Sequence, residues 1–203
     1  MSEDRIKSAW EIALEKADRL GKLSPEEAKK RLEEEFYPRG KALAERYLKG
    51  LPQRDLEMEL NRFANEKEKD MVKRGFFTTL VAKIALEEIE KSGRALDGIL
   101  FVSSDPSLLT TRENIIALLN KYHEAKDSLY SSSQQTITGK AEEQLKQLGI
   151  AGSSIQVNML ATGEWQEAQE KLHNQYGDEL TPLKKSLLAS FGAHPDSKPG
   201  KYL

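Results

Sequence analysis

An all-α protein is what this sequence predicts: long, kinked N-terminal helices, a smaller C-terminal helical cluster, and at most a minor two-stranded element. Three observations lead there. Apolar residues recur three and four positions apart along most of the chain, the period of one helix face. Charged residues make up 32% of the 203, and acid and base alternate along the same stretches. That density suits helices with wet flanks better than stacked sheets. Helix start and stop signals also punctuate the chain at short intervals.

Ile6, Trp10, Ala13, Ala17 and Leu20 form the first stripe, ended by Gly21. Ser24-Pro25 with Glu27 then supplies a capping box with proline in the first turn. Ala28, Leu32 and Phe36 continue the stripe. Tyr37-Pro38-Arg39-Gly40 predicts a kink or break, because proline inside a helix costs about 3 kcal/mol. A further segment carries Leu43, Tyr47 and Leu48, and Leu51-Pro52 opens another with Leu56, Leu60 and Phe63. Over residues 65–70, NEKEKD, the apolar seam lapses. Either one helix crosses solvent there or two helices meet.

Residues 75–93 form the most apolar helix, with Phe77, Leu80, Val81, Ile84 and Ile89, and Gly93 as its expected stop. Residues 97–104 read equally as a buried strand or a helical turn. Thr110 and Glu113 offer a second capping box ahead of Ile115, Leu118, Leu119, Tyr122 and Leu129. The serine-rich stretch 130–139 predicts a break or linker. Ala141, Leu145 and Leu148 make another stripe, ended by Gly149. Alternation of Ile155, Val157 and Met159 allows a strand at 153–160, and an extended connector fits equally. Thr162 is expected to cap a helix through Tyr176, and Thr181-Pro182 to start a last one ending at Phe191-Gly192. The expected organisation is a long-helix module at 1–93, a helical cluster at 94–192 and a tail at 193–203. A single domain with an extended arm fits equally.

Composition narrows function mainly by exclusion. There is no cysteine, so disulfides, thiolate metal sites and cysteine nucleophiles drop out. No apolar run approaches the ~18 residues that cross a bilayer, and Met1-Ser2-Glu3-Asp4-Arg5 does not read as a secretory start, so a cytoplasmic protein is expected. Net charge is −2, and Lys29-Lys30-Arg31 is followed by Glu33-Glu34-Glu35. Such interleaving cancels the field beyond a Debye length of about 8 Å, which argues against a nucleic-acid partner. No nucleophile elbow, phosphate loop or dinucleotide fingerprint occurs.

One motif carries possible chemistry. Glu170 and His173 lie three apart, the spacing that carboxylate-bridged metal bundles use. Such bundles need a second pair, and His123 has Asn120 at the matching position, so no cofactor is expected. His123 with Asp127, four apart, could bind a metal or form a His–Asp dyad, though exposed pairs of this kind are usually only structural. The remaining feature is the narrow seam of Ile6, Trp10, Leu14, Leu32, Phe36, Leu43, Tyr47, Leu56, Leu60 and Phe63. A strip that thin would be covered by a second copy or by another helical protein. The expected function is therefore non-catalytic docking or assembly, as a homodimer. A helical metalloprotein or small-ligand enzyme using Glu170 and His173, with His123 as a further candidate, is the alternative, and a nucleic-acid-associated factor the third.

Overall fold

The computed structural model describes residues 24–103, 105–149, 158, 160 and 162–192. They form an all-α protein of α1 (Pro25–Leu48), α2 (Gln53–Asn61), α3 (Glu66–Lys83), α4 (Ile89–Val102), α5 (Ser107–Gln147) and α6 (Gly163–Gly192). No strand occurs among the described residues. The chain divides into two compact units after Phe76, within α3. The sequence-based boundary at 93/94 falls inside α4.

In the first unit, α1 starts as its sequence dictates. The Ser24 hydroxyl accepts from the Glu27 amide at 3.1 Å, and the Glu27 carboxylate accepts from the Ser24 amide at 2.9 Å. Those bonds with Ser24 hold the Glu27 carboxyl below its ordinary range. Of the kink or break expected at Pro38, the break does not occur, and the helix continues through it to Leu48. Burial of Phe36, Gly40, Leu43, Ala44 and Tyr47 along this helix offsets the proline penalty.

Gly40 marks a close crossing rather than loose backbone. A Cβ on Gly40 would lie 2.1 Å from the Val72 carbonyl oxygen, and one on Gly75 would lie 2.2 Å from the Tyr37 carbonyl oxygen. The backbones of α1 and α3 touch where neither residue has a side chain. Phe36 packs edge-on against Phe63 at 6.0 Å between ring centres, and Tyr47 against Phe76 at 5.7 Å. α2 adds Leu56 and Leu60 to the interior, and Glu59 bridges Arg46 and Arg62 at its surface. The polar run at 65–70 is where two helices meet: α2 ends at Asn61, and the Asn65 side chain accepts from the Lys67 amide at the start of α3.

In the second unit several expected boundaries move. The helix anticipated at 75–93 stops at Lys83, and after a short linker α4 runs through Gly93 to Val102. Residues 97–102 are therefore helical. The possible strand at 153–160 lies outside the described residues except for Asn158 and Leu160, so the two-stranded element has no observed half. α5 starts at Ser107 rather than at Thr110, because the Asp105 side chain accepts from the Ser107 amide at 2.9 Å. It runs 41 residues, about 60 Å at 1.5 Å per residue, straight through the serine-rich stretch. Gly149 then takes a left-handed conformation, with φ at 71°, as its place beyond the helix end requires.

The two helices anticipated at 163–176 and 182–191 are one, α6, with Pro182 inside it. α5 and α6 lie antiparallel. Tyr122 meets His173 and Tyr176, Tyr130 meets Trp165 at 5.7 Å, and Lys140 bonds Glu164 at 3.1 Å. Ile115, Leu119 and Tyr122 of α5, with Leu180 and Leu187 of α6, are buried. Phe77 stacks on Phe191 at 4.3 Å between ring centres.

Candidate functional site

The linker between α3 and α4, residues 84–88, attracts polar side chains from three helices. Nearest in sequence is Ser92 of α4, fully buried, whose hydroxyl both donates to the Ala85 carbonyl and accepts from the Ala85 amide, each at 3.0 Å. Lys184 of α6 donates to the Ile84 carbonyl at 3.0 Å and reaches the Ala82 carbonyl at 3.5 Å. A cation there also faces the partial negative charge of the α3 C-terminus. Partial burial lowers the Lys184 pKa.

His123 of α5 bonds the Leu86 carbonyl at 2.9 Å through Nε2, which must therefore carry the proton. Tyr122 donates to Glu87 Oε1, and Lys126 donates to Glu87 Oε2 at 2.5 Å. His173 Nδ1 stands 3.8 Å from the same carboxylate. Four consecutive linker residues are thus each held by a side chain from a later helix.

The electrostatics of this clasp keep its protons where they are. Partial burial pushes the Glu87 carboxyl up. Donation from Lys126 and Tyr122, with the charges of Lys126 and His173, outweighs it, and the carboxyl sits below its ordinary range. Burial raises the Tyr122 hydroxyl, and its bond to Glu87 and that residue's charge raise it further. The carboxylate stays ionised and the phenol stays neutral around neutral pH. Neither is matched to give or take a proton there.

A depressed carboxyl pKa means that the folded state binds the proton less well than the unfolded one does. Its stabilising effect is present above the ordinary carboxylate range and is lost as pH falls through the lowered value. Denaturant midpoints followed from about pH 6 to about pH 3 should fall, and Glu87→Gln should flatten part of that fall. An unchanged slope in Glu87→Gln would mean that other carboxylates carry it.

The metal candidates lie at the edge of this cluster. Glu170 and His173 share a face of α6 and, with Gln166 and Gln169, line a shallow depression open to solvent. His173 turns Nδ1 toward Glu87 rather than toward a second ligand pair. Among the described residues no group of three or more His, Cys, Asp or Glu side chains could hold a metal ion. His123 turns Nε2 to the Leu86 carbonyl. A second shallow depression, between Leu118, Lys121, Glu179 and Pro182, also holds no such group.

The seam expected to await a partner is largely covered by this chain. Phe36, Leu43, Tyr47, Leu56 and Leu60 are buried, and Leu32 and Phe63 are half-buried. The strip is narrow because α1, α2 and the first part of α3 each contribute only one edge to a shared interior. Ile6, Trp10 and Leu14 lie outside the described residues.

Sequence reasoning placed Tyr122 on the apolar face of a helix and missed Glu87, Ser92, Lys126 and Lys184. Glu87 reads locally as the wet flank of a helix, and its partners are 35 and 39 residues away. No local pattern signals such a pairing.

Together the fold and the clasp define an all-α protein in which one interhelical linker is fixed by buried and half-buried polar side chains. The chain belongs to a family described as a family of unknown function (DUF6657), which it matches over residues 57–189. No curated protein and no solved structure matches it. Among the described residues no helix is long and apolar enough to cross a membrane.

Proposed function

We propose that this protein works without catalysis, as a docking or assembly element, and that the α5–α6 hairpin is the part that docks. One observation carries the reading. Beyond Tyr122 no residue of α5 is buried, although the helix continues for some seven turns. Over that length it carries Leu129, Ile137, Ala141 and Leu145, all half-buried, and Leu148, which is 73% exposed. Ile137, Ala141, Leu145 and Leu148 fall four, four and three apart on one face. A helix of that length with so little among the described residues buried against it gains from a second apolar helix.

The partner is a second copy of this chain or another helical protein. The seam of the first unit contributes less than its sequence suggests, since most of its residues are spent on that unit's interior. Sedimentation equilibrium at micromolar concentration tests the self-docking form. Concentration-dependent association is expected, weakened by Leu148→Glu, a change at an exposed position that leaves the core untouched. A monomer at every concentration would remove the homodimer.

A further inference from the structure

We infer that residues 131–139 form a joint in α5, a stretch of helix that opens locally while the rest of the hairpin stays folded. Three features coincide there. First, Ser131 donates its hydroxyl to the Asp127 carbonyl at 3.0 Å, Ser132 to Leu129 at 3.1 Å and Thr136 to Ser132 at 2.9 Å. Hydroxyls that bond back onto the preceding turn compete with the helix's own hydrogen bonds and bend it. Second, the composition is poor for a helix interior. Ser131, Ser132, Ser133, Thr136, Ile137, Thr138 and Gly139 all rank below Ala, Leu, Glu and Lys.

Third, packing does little to make up the difference. No residue of the stretch is buried, and a Cβ on Gly139 would meet nothing within 4 Å. The contacts with α6 that bracket the stretch are Tyr130 against Trp165 and Lys140 against Glu164, and the second is an exposed ion pair. Exposed pairs of that kind contribute little. By contrast, residues 115–122 of the same helix include four buried side chains, Ile115, Leu118, Leu119 and Tyr122. Helical stability in proteins comes mostly from tertiary packing, so the two halves of α5 must differ in how readily they open. Whether or not the arm docks, this joint lets its outer turns move relative to its root.

Amide hydrogen exchange on the full chain, read by residue, tests the inference. Amides at 131–139 should exchange at least a hundredfold faster than those at 115–122. A variant combining Ser132→Ala, Thr136→Ala and Gly139→Ala should narrow that gap at least tenfold, because it restores helix propensity and removes two of the back-bonding hydroxyls. Uniform exchange along α5 overturns the joint. Fast exchange that the triple variant leaves unchanged overturns its assignment to these residues.

Discussion

Gly40→Ala should destabilise the protein by about 2 kcal/mol net, a large effect for adding one methyl group. Two opposing terms decide the sign. In an ordinary helix interior the change would stabilise by about 1 kcal/mol, through helix propensity. Here the new Cβ would sit 2.1 Å from the Val72 carbonyl oxygen and 2.8 Å from the Phe76 nitrogen. Both are backbone atoms of α3 and cannot rotate aside. The helices must separate, which loosens Phe36 against Phe63 and Tyr47 against Phe76. Overpacking of this kind costs about 1–3 kcal/mol and more where nothing can yield, so it exceeds the propensity gain. Gly75→Ala meets the Tyr37 carbonyl oxygen at 2.2 Å and should behave alike. Gly139→Ala meets nothing and should be neutral or stabilising. Urea midpoints for the three variants check the argument. Similar values for Gly40→Ala and Gly139→Ala would show that the crossing is not as tight as described.

Tyr122→Ala should cost about 3–5 kcal/mol, the range for truncating a buried aromatic side chain. The ring is fully buried and lies among His123, His173 and Tyr176, while its hydroxyl donates to Glu87. Tyr122→Phe separates the two contributions. It keeps the ring contacts and removes a donor to a carboxylate, for a loss of about 1–3 kcal/mol. Glu87 keeps Lys126 as a donor and is partly exposed, which places the expected value toward the lower end. If Tyr122→Phe matches Tyr122→Ala, the hydrogen bond rather than the ring dominates. If it matches the unmodified protein, the clasp contributes nothing at this bond.

Legibility in the sequence follows range. The capping box at Ser24, Pro25 and Glu27 was readable because all its partners lie within three residues. Apolar periodicity gave the helical class and the buried faces that carry Leu80, Leu119 and Tyr122, but it read Leu43 and Tyr47, which this chain buries itself, as a docking seam. The breaker signals misled. Gly93 predicted an end, Pro38 a kink or break, the serine-rich stretch a break or linker and Thr181-Pro182 a new start, and all lie inside continuous helices. Intrinsic cost at a single proline or glycine is a few kcal/mol at most, and packing along the helix exceeds it at Pro38, Gly93 and Pro182. The real end at Lys83 carries no strong signal in the sequence. It is fixed by Ser92, His123 and Lys184, which reach back to the linker from later helices.

Glu170 and His173 show the same limit from the other side. Their spacing is legible and correctly puts both on one face, yet spacing does not say what stands opposite. What stands near His173 is Glu87 and the ring of Tyr122.

By itself the sequence determined the helical class, the period of each apolar face and the start of α1, since these depend on backbone preference and on neighbours one or two turns away. Tertiary structure alone decided where helices continue through proline and glycine, that Gly40 and Gly75 form a crossing, and which polar side chains hold residues 84–88. Those outcomes depend on atoms brought together from as far as 100 residues apart, where the energy of an approach exceeds any local preference.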